Sequence, residues 1–178
     1  MRSVPIVREA SGPLYESVGD VCLAAALGRA ALPANAVIGV YYAGTMPYFL
    51  PLHRFHDFLG KSDRHIASSR ARRGPPGHNK WDYAYSLGQI RPDLIVTAVP
   101  FTGAADAQYR DIVDRVDFGF HPALWLDPIF RERYRAQRMI PPADATLGKW
   151  PPHWVYARSG FDSNPIVLPE GICKEGPW

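Results

Sequence analysis

Between Arg54 and Lys80 lie seven basic residues (Arg54, Lys61, Arg64, Arg70, Arg72, Arg73, Lys80) and two acids (Asp57, Asp63), a local charge of +5 that leaves −2 for the rest of a +3 chain. Four of the six histidines, His53, His56, His65 and His78, fall in or beside the same stretch. Guanidinium, ammonium and imidazole groups donate hydrogen bonds to oxyanions, so this composition suits a phosphate or an anionic surface. Arg70, Arg72 and Arg73 are the expected contacts to a phosphate or to lipid headgroups. The competing reading is that these arginines only solvate a loop. Nucleic acid is not an expected partner, because the cluster has no alternating exposed aromatics and the chain carries no binding motif.

The other chemistries fare worse. The histidines and aspartates match no zinc spacing, and the arginines would repel a cation, so neither a metal nor any other cofactor is expected. Neither Ser62 nor Ser159 sits in a Gly-x-Ser-x-Gly turn, and neither cysteine neighbours a histidine. Asp57 and Asp63 flank a glycine turn at the end of an expected strand, where ligands bind in open α/β sheets. Asp63 is better read as the cap of a short helix through His65, Ile66 and Ala67; Asp57 either braces the turn or faces a ligand. His78 and Trp81 open the next helix, with Asn79 a plausible cap, and are the expected sugar contacts together with Asp57, Lys61, Asp63, His65 and Lys80.

Positioning these residues requires a scaffold. Apolar residues at three- and four-residue steps from Leu14 to Leu32 predict an amphipathic helix stopped by Pro33. Ala36 to Tyr42, Arg54 to Leu59 and Asp93 to Val99 read as short buried strands, and Phe118 to Leu126 and His153 to Arg158 as further ones. Trp81 to Ile90, Asp106 to Val116 and Pro128 to Arg138 read as helices. The Arg-Arg-Gly-Pro-Pro-Gly tract before His78 excludes regular structure and makes an exposed loop. Helices alternating with buried strands imply an α/β fold with a small, mainly parallel sheet. We expect one domain over residues 1–160 and an irregular, extended tail over 161–178.

Composition agrees. With 47% hydrophobic and 21% charged residues the chain is neither disordered nor fibrous. Pro 18 and Gly 15 in 178 residues predict long ordered connections. No apolar stretch approaches the roughly 18 residues of a membrane span, and the apolar run near the N-terminus is too short for a secretory signal. Cys22 and Cys173 form either one disulfide or two separate thiols.

Three blocks in order, Tyr41-Tyr42-Ala43-Gly44-Thr45-Met46-Pro47-Tyr48-Phe49, Asp57-Phe58-Leu59-Gly60-Lys61-Ser62-Asp63-Arg64-His65-Ile66-Ala67 and Gly77-His78-Asn79-Lys80-Trp81-Asp82-Tyr83, carry a resemblance. From Leu14 to Val99 the chain resembles the C-terminal soluble domain of bacterial polytopic GT-C glycosyltransferases of the mannosyl- and arabinofuranosyltransferase-like group. The resemblance implies a domain on the periplasmic or extracytoplasmic face that packs over a membrane domain. It also implies a domain that positions a glycan acceptor in cell-envelope polysaccharide synthesis. The donor would be a polyprenyl-phosphate sugar, and the catalytic acid would lie in the membrane part, so this domain would not be catalytic alone. The alternative from the residues themselves is a free-standing α/β enzyme or binding protein for a phosphorylated sugar.

Overall fold

The computed structural model describes residues 21–30, 32–41, 43–97, 119–137, 139–140, 154–161 and 166–167. Residues 21–29 are helical (α1). Then follow β1 (Val37–Val40), α2 (Thr45–Phe49), β2 (Arg54–Asp57), α3 (Arg64–Ser68), α4 (Tyr83–Tyr85) running into a π-turn (Ser86–Ile90), and β3 (Leu94–Thr97). After them come α5 (Phe120–Leu126), α6 (Pro128–Arg133), β4 (Tyr134–Ala136), β5 (Met139–Ile140), β6 (Trp154–Arg158) and β7 (Ile166–Val167). The helix expected over Asp106 to Val116 lies outside the described residues.

Five strands form one sheet in the order β2-β1-β3-β6-β4. β1 is parallel to both β2 and β3, whereas β6 runs antiparallel to β3 and to β4. The fold class is α/β, and the sheet is mixed rather than mainly parallel. The strand expected over His153 to Arg158 is β6, Trp154–Arg158, and it returns beside β3 in the opposite sense, a pairing that local patterning does not encode. Within the tail, Ile166 is buried and Ile166–Val167 pairs in parallel with Met139–Ile140.

Strict alternation divides the core into two chemically different layers. Ile38, Val40, Leu94, Val96, Val155 and Ala157 point to one face, where they meet Cys22, Leu23 and Leu27 of α1 and Met46 of α2. Tyr41, Ile95 and Tyr156 point to the other, where they meet Phe58, Trp81, Tyr83, Leu87, Phe120 and Phe130. The first layer is aliphatic and the second aromatic. Gly39 permits the second, since a Cβ there would sit 2.5 Å from the Phe58 ring. Cys22 is disulfide-bonded; the other cysteine, Cys173, lies outside the described residues.

One expected strand is a helix. Phe120–Leu126 is α-helical because Phe120 and Leu124, four apart, bury on one side against the aromatic layer. Pro122 falls in the first turn, where its missing N–H costs nothing. The helix expected from Pro128 to Arg138 ends at Arg133, and its last part becomes β4. Among the described residues no helix is long and apolar enough to cross a membrane.

Candidate functional site

The turn after β2 is built by Asp57. The residue is 2% exposed, and its carboxylate accepts from Leu59 N at 2.9 Å, Ser62 N at 2.6 Å and Ser62 Oγ at 3.2 Å. Both oxygens are spent on the turn, so Asp57 braces it and offers no partner for acid–base work with Asp63. Gly60 in the same turn takes φ +72°, and a Cβ there would press to 2.6 Å from Ala67 N.

Beyond the turn, α3 and α4 are clamped reciprocally. Asp63 caps α3 through Ile66 N at 3.0 Å, and its other oxygen accepts from Tyr85 Oη of α4 at 3.3 Å. Asp82 caps α4 through Tyr85 N at 2.9 Å, and its other oxygen meets His65 Nε2 of α3 at 3.0 Å. The His65 and Tyr85 rings stack at 4.0 Å. The amide of Tyr85, followed by the His65 contacts, holds the Asp82 carboxyl below its usual range against the opposing effect of burial. Each helix's cap therefore grips a side chain of the other helix.

The clamp holds both ends of the loop from Ser69 to Trp81. Across that loop Arg72 N donates to Asn79 O at 2.7 Å, and Lys80 Nζ donates to Ala67 O. The Arg72 guanidinium lies 4.8 Å over the buried Trp81 ring, a cation–π contact that occupies the indole face. Arg70, Arg72 and Arg73 then line an open cavity of about 630 Å³ with Ser69, Trp81 and Asp82. A neighbouring cavity of about 320 Å³ shares Ala71 and holds Lys61 and Lys80 beside Gly60, Gly77 and Asn79.

The structure thus gathers Arg70, Arg72, Arg73 and Trp81 at one cavity and Lys61 and Lys80 at the next. Asp57, Asp63 and His65 serve the turn and the clamp. His78 donates its amide to Pro75 O at 3.0 Å, and its ring lies 6.2 Å from Phe120, on the aromatic layer. Among the described residues no three His, Cys, Asp or Glu side chains converge as a metal site.

One constellation is invisible in the sequence. His56, 4% exposed on β2, shares a 2.8 Å hydrogen bond through Nε2 with Ser86 Oγ, and its Nδ1 lies 3.5 Å from Asp63 Oδ2. Burial holds His56 below its ordinary pKa, against the opposing pull of Asp63 and then Asp57. The residue types are those of a Ser-His-Asp triad, yet Ser86 is completely buried and lines none of the described cavities. It is a tie between β2 and the π-turn. No signal in the sequence marks it, since His56 and Ser86 are thirty residues apart and Ser86 lies in no motif.

No curated protein and no solved structure matches this chain. Residues 14–159, most of its length, match the model of a family described as Domain of unknown function (DUF8728), and the protein belongs to that family.

Proposed function

We propose that this domain binds a phosphorylated sugar, of the kind that heads a polyprenyl-phosphate sugar, in the arginine-lined cavity. In this reading it holds that donor headgroup and positions the glycan acceptor beside it for a separate catalytic part of a cell-envelope glycosyltransferase on the extracytoplasmic side. The observation that carries the proposal is that Arg70, Arg72 and Arg73, adjacent to a second cavity with Lys61 and Lys80, line one cavity on a loop held at both ends. Guanidinium groups bind phosphate through paired, charge-assisted hydrogen bonds, and an anchored loop loses little entropy on binding.

One further observation supports the reading. Cys22 is disulfide-bonded, and disulfides persist in oxidising compartments outside the cytosol.

The test is calorimetric titration with mannose 1-phosphate, with mannose and with a mannan fragment. We expect the phosphorylated sugar to bind and the neutral ones to bind at least tenfold more weakly. Raised salt should weaken the binding, and the double variant Arg70→Ala, Arg73→Ala should lower the affinity about tenfold. Equal binding of mannose and its phosphate would overturn the phosphate site, and selective binding of the mannan fragment would replace it with a neutral acceptor groove.

A further inference from the structure

On the opposite edge of the sheet from the turn at Asp57, α6, β4 and β6 enclose a cavity of about 290 Å³. Its walls are aromatic: Phe130 of α6, Tyr134 of β4, and Trp154 and Tyr156 of β6. Phe130 stacks on Tyr134 at 5.8 Å and meets Tyr156 edge-on at 5.2 Å, so these walls are set by core packing. The Tyr134 hydroxyl donates to Pro92 O at 2.8 Å, which fixes its ring further.

Among the described lining residues the rim carries Arg131 and Arg135. Arg131 Nε donates to Trp125 O, and Arg135 Nη1 donates to Arg131 O and to Tyr134 O, both at 2.8 Å. A guanidinium has five N–H donors in a planar fork, and these bonds spend only the Nη1 end of Arg135. Its Nε–Nη2 edge keeps the geometry that receives a carboxylate bidentately. The cavity is at the lower end of the range for small-molecule sites, room for one ring system rather than an oligosaccharide.

We infer that this cavity is a second binding site, independent of the arginine loop, for a small organic acid that carries a flat apolar ring and one carboxylate. The ring stacks on the partly exposed Trp154, over the buried rings of Phe130, Tyr134 and Tyr156, and the carboxylate docks on Arg135 at the rim. Aromatic side chains bind the ring through its face and edge, and the Arg135 guanidinium selects for negative charge.

The experiment is a two-dimensional amide and indole NMR titration of the full chain. The probe is indole-3-acetate, with the neutral analogue indole-3-ethanol and inorganic phosphate as comparisons, each to about 10 mM, a range that captures millimolar affinities. The expected result is that indole-3-acetate shifts the Trp154 indole N–H and the Ala136 amide. Indole-3-ethanol should bind at least tenfold more weakly and phosphate should shift neither signal. Arg135→Met keeps the aliphatic stem of an exposed residue and removes the fork, and should weaken indole-3-acetate about tenfold with core resonances unchanged. Lack of shifts at Trp154 and Ala136 overturns the site. Equal binding of the alcohol, a phosphate response at the same signals, or undiminished binding in Arg135→Met overturns the carboxylate assignment.

Discussion

His56 Nε2 lies 2.8 Å from Ser86 Oγ, joining the second strand of the sheet to the first residue of the π-turn. The Asp63 carboxylate 3.5 Å from Nδ1 favours the tautomer protonated there, in which Nε2 accepts from the serine O–H. Both side chains are buried, so removal of either leaves the other without its partner. Ser86→Ala should lower stability by about 1–3 kcal/mol, and His56→Ala by more because it also opens a cavity. In a double-mutant cycle read by urea denaturation the two losses should be clearly less than additive. Additive losses would mean that the bond contributes nothing.

Stability should fall as the solution is acidified below about pH 6.5. Burial lowers His56 from 6.5, and lowers His121, packed against Tyr41, Phe120 and Trp125, to about 3. A depressed histidine protonates first in the unfolded chain. Its contribution is therefore complete above the unfolded pKa and shrinks between there and the folded one, at up to ~1.4 kcal/mol per pH unit for each proton. Urea midpoints between pH 7.5 and 5 should stay level above 6.5 and then decline. His121→Phe should make the decline shallower by one proton's worth, and an unchanged slope would remove His121 from this account.

A different acid effect belongs to Asp82. Its lowered pKa, due first to the Tyr85 amide, stabilises the clamp above the unfolded value of 3.8 and is lost as pH falls through the folded one. Asp82→Ala removes a helix cap and the His65 contact together, and should cost about 1–2 kcal/mol. Because the clamp holds the loop, hydrogen exchange at Arg72, whose amide bonds Asn79 O, should accelerate in the same variant. Unchanged exchange there would separate the clamp from the loop.

Gly60→Ala should be poorly tolerated. The residue has φ +72°, and an added Cβ would meet backbone at Ala67 N and Ile66 C, at 2.6 and 2.9 Å, where no rotamer relieves it. We expect a loss of at least ~1–3 kcal/mol in thermal or chemical unfolding. Gly44→Ala is the control, because its backbone is right-handed and nothing lies within 4 Å of the added carbon.

Cys22 should resist alkylation. In protein denatured without reductant, the peptide containing Cys22 should carry no iodoacetamide adduct, and after reduction it should carry one, as read by mass spectrometry. A thiol that reacts before reduction would remove the support that the disulfide lends to an oxidising location.

Much of the scaffold was legible in the chain because burial on two faces writes itself into short apolar runs. Val37–Val40 and Leu94–Thr97 lie inside the runs expected for them, and Asp63 caps the helix through His65 and Ile66 as its position implied. The run at Phe120–Leu126 misled, since apolar residues in so short a stretch fit either period until it is known what they pack against. The basic loop was equally plain, but its arginines read as solvated charge or as a site with the same residues.

An α/β fold, the glycine turn after the second strand and the concentration of positive charge between Arg54 and Lys80 can be read from the chain, because propensity, burial pattern and charge are local properties. Only long-range packing makes the sheet mixed, lets Asp63 and Asp82 clamp two helices reciprocally and brings His56 to Ser86. It alone also makes Arg131 and Arg135 face an aromatic cavity with Trp154. Those outcomes depend on which strands pair and in which direction, and that choice is made by long-range packing between segments whose separate sequences carry no record of each other.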